Sequence, residues 1–548
     1  ELHYLRNPDP NLGFALLSDY ADAPEQTMPE DAALLADAES GIAALNHKYP
    51  NFPFYLFHRR RLWNPAEGVW MGWERKRGKL HEFNRLLRSD PNTSHIVRLG
   101  DQALLPQVRY VITLDADTIL PREQAQQLIG TLAHPLNRAR FDARSGKVVA
   151  GYSVLQPRTE IKPMSANQSL FTQIFAGDVG IDLYSRAVSD LYQDLFGAGS
   201  YVGKGIYAVD AFEQSLDGRV PENSLLSHDL FEGMHGRVGL VTDIVLYEEY
   251  PPHYLVNIQR AHRWVRGDWQ LLPWLLPWTP RISRQSPSHS WAHNDLTLID
   301  RWKITDNLRR SLLAPALLLL LLAGWTILPG KPLLWTLLAS LIPAFAVTTA
   351  ALSGMARAAD GATNVTWGSL LRPLRDNVLR WFLFLAFLPH ETLITLDAIG
   401  RTLVRLLFTH RNMLQWTTAA KAVQLFGENA TAGTTLSKML PSTLLVLLLA
   451  LFVGLLNIAA LPIAAPYLII WLLASQIAYQ ISRPTEHAIG VGAEALTAEQ
   501  RQQLRTLAQR TWLFYERFVG PDDHWLPPDH FQEAPRGQVA HRTSPTNI

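Results

Sequence analysis

Hydrophobic positions along this chain fall into two regimes. Up to about residue 300, apolar residues come in short β-rich runs separated by helical stretches, the pattern of an α/β layered domain. Gly13-Phe14-Ala15-Leu16-Leu17-Ser18-Asp19 reads as a buried strand, and Arg109-Tyr110-Val111-Ile112-Thr113-Leu114 as another, each running into an acidic residue. Ligands of open α/β sheets gather at the carboxyl ends of strands, so these acids stand where a site is expected. After Arg309-Arg310 the pattern changes. Residues 311–328 and 332–352 are uncharged apolar runs of about the 20 residues a bilayer crossing takes, joined by a tight Pro329-Gly330-Lys331 turn. Residues 441–461 and 463–481 repeat the arrangement, so four spanning helices are expected, as hairpins within 301–352 and 441–482.

Between the hairpins, 353–440 is apolar but interrupted. Arg372, Arg375, Arg380, Arg401, Arg405 and Arg411 recur among Leu, Phe and Trp, which favours amphipathic helices lying in the interface. The competing reading is a fifth span over 378–396, which would set His390 and Glu391 near mid-membrane at considerable cost. Arg301, Lys303, Arg309 and Arg310 precede the first span, and Arg357, Arg372 and Arg375 follow the second. Basic flanks of this kind face the cytoplasm, which places the domain of residues 1–300 on that side. In the tail, 483–548, helical periodicity over 497–518 carries Leu504, Leu507, Trp512, Phe514 and Phe518.

Composition narrows the picture further. Across 548 residues the net charge is +1 and charged residues are 18%, so nothing global indicates a nucleic-acid partner. The absence of cysteine excludes disulfides and thiolate metal sites. Glu1 opens without a methionine, a basic stretch or an apolar core of a leader, as expected of an excised piece.

Four clusters carry candidate chemistry. Asp115-Ala116-Asp117 follows an apolar strand, and two carboxylates there can approach one hard, oxygen-preferring cation; a solvated turn is the plainer alternative. Glu74-Arg75-Lys76-Arg77-Gly78-Lys79 leads into a helix starting near Lys79, suited to phosphate or to a merely solvated helix end. Ser227-His228-Asp229 places a carboxylate at a helix start, either as a general base or as a cap. Gln259-Arg260-Ala261-His262-Arg263-Trp264-Val265-Arg266-Gly267-Asp268-Trp269 offers guanidinium forks for diphosphate and indole faces for sugar rings, or an anchor in the headgroup zone.

In order and spacing these clusters resemble the GT-A-fold, family-2-like processive glycosyltransferases. Gly78-Lys79 with Asn84 is similar to their nucleotide-binding segment, Asp115 and Asp117 to the metal-binding Asp-x-Asp, Asp229 to the catalytic base and Arg263-Trp264 to the Gln-x-x-Arg-Trp signature. Arg260 stands where that signature has glutamine, with Gln259 one place earlier. Longer phrases resemble the cyclic β-1,2-glucan synthases: Phe14 to Ala23, Gly68 to Leu80, Arg301 to Leu312 and Trp416-Thr417-Thr418-Ala419.

The resemblance implies an α/β GT-A (Rossmann-like) cytoplasmic domain over 1–300, with a further strand before Glu1 in family members, followed by transmembrane and interfacial helices in a multi-pass protein of a bacterial inner membrane. It implies UDP-glucose as donor, Mg2+ or Mn2+ as metal, and linear β-1,2-glucan growing on a protein-attached primer. Asp19, Asp22, Lys79, Asp115 and Arg263 would hold the nucleotide, while Lys204, His228, Trp264 and Trp269 would face the acceptor. The tail from about Ala493 would open a glucoamylase-like cyclisation module, truncated here and separate from the family's phosphorylase-like module. The rivals are a cellulose- or hyaluronan-synthase-like polymerase with another linkage, and a non-catalytic membrane scaffold or transporter that keeps a sugar-nucleotide fold.

Overall fold

The computed structural model describes residues 1–143, 145–176, 191–283, 286–359, 367–417, 419–427, 431–485 and 497–543. The chain divides into two units, Glu1–Arg483 and Pro484–Ile548. The expected start of a further module near Ala493 lies outside the described residues, as does Thr418.

Two mixed sheets build the first 250 residues of the larger unit. In one, Phe14–Asp19 runs parallel to Phe54–Arg59, which pairs antiparallel with His95–Leu99. Phe54–Arg59 is buried at every position, as expected of a central strand covered on both faces. In the other, the order is Val238–Glu248, Val154–Ile161, Gly205–Ala208 and Tyr110–Thr113; the first pair is parallel and the other two are antiparallel. Helix Arg75–Leu87 binds the sheets into one core, in which Phe83, Leu86 and Leu87 pack with Tyr55 and Phe57 of the first sheet and Val154, Tyr207 and Val238 of the second. Burying a side chain such as Phe57 stabilises by roughly 1.5–3 kcal/mol. The two strands anticipated from sequence are present, and both deliver an acid: Asp19 ends one, and Asp115 lies two residues past Thr113 at the end of the other.

Two straight helices are long and apolar enough to cross a membrane, Pro373–Thr409 and Ala432–Leu456, and three bent pairs bring the number to as many as five. The bent pairs are Leu298–Ser311 with Leu313–Thr326, Pro332–Leu341 with Phe345–Leu352, and Ile458–Leu472 with Ala474–Ile481. All four expected spans therefore have a counterpart. Within 353–440, where interfacial helices are expected, Pro373–Thr409 is also long and apolar enough to cross a membrane. Trp367–Val404 is one helix of 38 residues that packs against Leu313–Thr326, Ala432–Leu456 and Leu461–Leu472 instead of lying apart from them. His390 is buried with its ring 5.8 Å from Tyr254, so the polar group that argued against a span is sheltered by protein. Indole N–H groups in the bundle are satisfied internally, Trp381 donating to the Ser340 carbonyl and Trp471 to that of Leu385, each at 2.8 Å.

The smaller unit carries helix Ala498–Phe518, opened by a capping box between Thr497 and Gln500. A short antiparallel pair, Phe531–Gln532 with Gln538–Val539, follows it.

Candidate active site

The turn before helix Arg75–Leu87 is the hub of the site. Glu74 and Arg75 both take left-handed backbone, φ 50° and 51°, a costly conformation for residues with a Cβ. It is held by Glu74, which pairs with Arg77 at 2.6 Å and accepts the Asn223 backbone N–H. From this turn Arg75 reaches Asp22 at 2.7 Å, and Lys76 reaches Asp115 at 2.5 Å. One helical turn on, Lys79 stands 3.4 Å from Asp19. Three of the expected nucleotide-side residues, Asp19, Asp22 and Lys79, are thus gathered around one helix start.

Asp19 is fixed from behind by Arg59, whose Nε and Nη2 donate to its two oxygens at 2.7 and 3.0 Å. Arg59 is fully buried and also donates to Glu82 at 2.9 Å. Burial opposes the charge on Asp19, but Arg59 and Lys79 outweigh it and hold the carboxyl below its ordinary range.

Asp115 sits between two ammonium groups, Lys76 and, at 3.5 Å, Lys204. Burial works against its charge, and the two lysines overcome it and lower its pKa. Lys204 is also paired with Glu248 at the end of the neighbouring strand. Asp117 is exposed in the turn that follows, where the Thr118 N–H donates to the Asp115 carbonyl at 3.0 Å, and its charge reaches Lys204. The Thr118 hydroxyl is buried without a partner among the described residues. Asp115, Asp117 and the Thr118 hydroxyl offer only oxygens, the donor type a hard divalent cation such as Mg2+ or Mn2+ prefers, while Lys76 and Lys204 pair with the two Asp115 oxygens.

Lys76 joins this side to the candidate base. Its Nζ donates to the Gly203 carbonyl at 3.1 Å, and Gly203, φ 84°, lies so close to Asp229 that a Cβ there would meet Asp229 Oδ1 at 2.5 Å. Asp229 opens helix Asp229–Gly236, with His228 buried at its N-cap. Asp115 and Asp229 therefore belong to one contiguous group, Asp115–Lys76–Gly203–Asp229. Lys204, expected on the acceptor side, instead touches Asp115 and Glu248.

Helix Tyr254–Gln270 brings the Arg/Trp run to the same place. Arg263 is lowered in pKa, first by burial and then by Arg260, while the charges of Asp115 and Asp229 pull it back up. It thus lies within electrostatic reach of both acids. Trp264 is half-buried with Arg260 4.7 Å over its ring. Trp269 is half-buried; its indole N–H donates to Ser311 Oγ at 3.0 Å and its ring packs against the cluster that holds Leu271, Trp274 and Leu308.

Sequence reasoning missed a strap. Residues 412–416, just past the long membrane-compatible helix, are tied to the domain by the Leu414 N–H to Glu67 at 2.8 Å, Gln270 to the Met413 carbonyl at 2.8 Å and Arg266 to the Gln415 carbonyl at 3.1 Å. Arg75, which holds Asp22, also donates to the Leu414 carbonyl. The strap had no local signature, because its partners are backbone groups that any sequence supplies.

Fold and site together define a mixed α/β protein with helices able to cross a membrane and an acid–base cluster at the sheet edges. No protein-family model matches the chain. It is 42% identical over 557 residues to Cyclic beta-(1,2)-glucan synthase NdvB of Rhizobium meliloti (strain 1021), an alignment that covers 100% of this chain and 19% of that protein. The chain belongs with that synthase as a homologue of one segment of it, and the likeness drawn from its longer phrases extends over its whole length.

Proposed function

We propose that the chain is the glucosyltransferase portion of a cyclic β-1,2-glucan synthase. It is a GT-A-fold, inverting enzyme that extends a protein-attached β-1,2-glucan from UDP-glucose, on the cytoplasmic side of a multi-pass inner-membrane protein. The observation that carries this reading is the contiguous group Asp115–Lys76–Gly203–Asp229, which sets a cation-compatible acid beside a second acid free to take a proton.

Asp115 and Asp117 would hold Mg2+ or Mn2+, which when bound offsets charge on the donor diphosphate. Asp19, Asp22 and Lys79 would orient the nucleotide. Asp229 accepts the proton of the acceptor 2-hydroxyl as its oxygen attacks the anomeric carbon and the bond to UDP breaks. Attack from the face opposite the leaving group turns an α-linked donor into a β-linked product. Arg263 neutralises charge on the departing diphosphate, and preorganised donors of this kind act strongly in a water-poor site. Trp264 would stack on the acceptor sugar.

The test is incubation of the membrane-extracted protein with labelled UDP-glucose, followed by linkage analysis of the attached glucan. β-1,2 linkages that disappear in Asp229→Asn, while that variant still binds UDP-glucose, are expected. Full turnover by Asp229→Asn removes the mechanism, and a different linkage removes the product.

A further inference from the structure

Beside the candidate base lies a pair of buried titratable groups to which the mechanism above gives no role. His228 Nδ1 stands 2.8 Å from Glu232 Oε1 and 3.6 Å from Asp229 Oδ1, so two carboxylates converge on one ring nitrogen. The His228 and Glu232 side chains are only 6% and 3% exposed. His228 Nδ1, Asp229 Oδ1 and Glu232 Oε2 are all buried without an aligned hydrogen bond among the described residues, so charge and proximity are what hold the three together. Two carboxylates this close in the interior do not both ionise unless a cation sits with them. His228 is the group in position to be that cation. Burial alone would discharge the ring, but Glu232 first and Asp229 second outweigh it and raise its pKa. Burial likewise pushes Glu232 up, against the pull of His228. The other groups facing the pair are Lys76, which weakly opposes charge on His228, and Arg77, Tyr201 and Tyr207, which face Glu232.

We propose that Glu232 is a positioning residue for the proton-accepting step, holding a charged His228 ring between its own carboxylate and that of Asp229. The inference rests on the reading of Asp229 as the proton acceptor. In it the Nδ1 proton stays on the ring, and the acceptor's O–H bond breaks as a new one forms on Asp229. Glu232 acts only through His228. Its charge pairs with the ring, and the ring holds the Asp229 carboxylate in place as the proton arrives.

Glu232→Gln conserves shape and an acceptor for Nδ1 but removes the charge. At pH 7 it is expected to lower kcat about tenfold and to move the acidic limb of the kcat profile up by about half to one pH unit, with KM for UDP-glucose within about twofold of the parent. Glu232→Asp, which restores the charge, should bring the limb back towards its original position. His228→Gln removes the cation directly and should reproduce the shift, so the test survives if either variant folds poorly. An unmoved limb in both Glu232→Gln and His228→Gln, or a change confined to KM, overturns the proposal. Asp229→Asn assayed in parallel separates the two levels. If it is inactive while Glu232→Gln keeps the parent profile, only the role of Glu232 falls; if it is active, the assignment of Asp229 falls and the role of Glu232 with it.

Discussion

The Arg263 guanidinium lies 5.0 Å over the indole of Trp416. The first residue belongs to the helix that faces Asp115 and Asp229, the second to the strap that follows the long membrane-compatible helix. A cation–π contact of this kind is worth about 0.5–2 kcal/mol, the upper end when desolvated. Trp416→Ala should therefore lower UDP release from UDP-glucose by roughly twofold to thirtyfold, with only a fall of a few degrees in the thermal midpoint. Parent-like turnover would show that the strap does not set the position of Arg263.

Gly203→Ala tests the contact between the loop and the candidate base. A Cβ at this position would stand 2.5 Å from Asp229 Oδ1, and the backbone φ of 84° is unfavourable for alanine. The carboxylate is the part able to yield, so it should be displaced from its reacting position at a cost of about tenfold or more in kcat. Nucleotide affinity by calorimetry should stay unchanged. A variant with full kcat would mean that Asp229 has room the geometry does not show.

Asp117→Ala should abolish the metal-dependent part of UDP binding, leaving the weak metal-independent part supplied by the lysines. Calorimetry with and without Mn2+ reads this directly. Equal affinity for parent and variant in Mn2+ argues against an ion at the Asp115–Asp117 turn.

Arg59→Met should be strongly destabilising, by about 3–5 kcal/mol, because it strands Asp19 and Glu82 in a buried setting. The pH dependence has a definite sign. Both carboxyls are held below their ordinary values in the folded protein, despite burial, chiefly by Arg59 for Asp19 and by Ser94 and Arg59 for Glu82. Their contribution is complete above about pH 4.5 and is lost as pH falls through the lowered values. In Arg59→Met the parent's acid-induced drop in thermal midpoint should be reduced or reversed. A variant with the parent's acid profile would remove the network as its cause.

Much of the site was legible because its acids mark the ends of apolar strands. Asp19 and Asp115 could be found that way, Asp229 as an acid at a helix start, and Lys79 does meet Asp19. Lys76 was passed over as the partner of Asp115 because three basic residues share that turn and the left-handed backbone at Glu74 and Arg75, which decides where each points, has no sequence signature. Glu232 does not stand out in the sequence, since its burial together with His228 is decided by tertiary packing. The length of the helix over Trp367–Val404 was hidden for the same kind of reason. His390 looked expensive against lipid, and only the tertiary structure supplies Tyr254 to shelter it. Trp269 was assigned to a sugar by its neighbourhood in sequence, yet a helix turns such a residue away from Arg263 towards Ser311.

Tyr254 and Phe387 stack face to face, with centroids 4.1 Å apart and planes 24° from parallel, at the start of the helix that carries Arg263. That contact lies in a packed cluster with Leu255, Ile258, Leu383 and Met439, so the domain is bolted to the apolar bundle and does not hang from it on a tether. The helix that carries Arg263 consequently keeps a fixed height and tilt relative to the bundle. Any tilt of the bundle is therefore passed on undamped to the helix that bears Arg263.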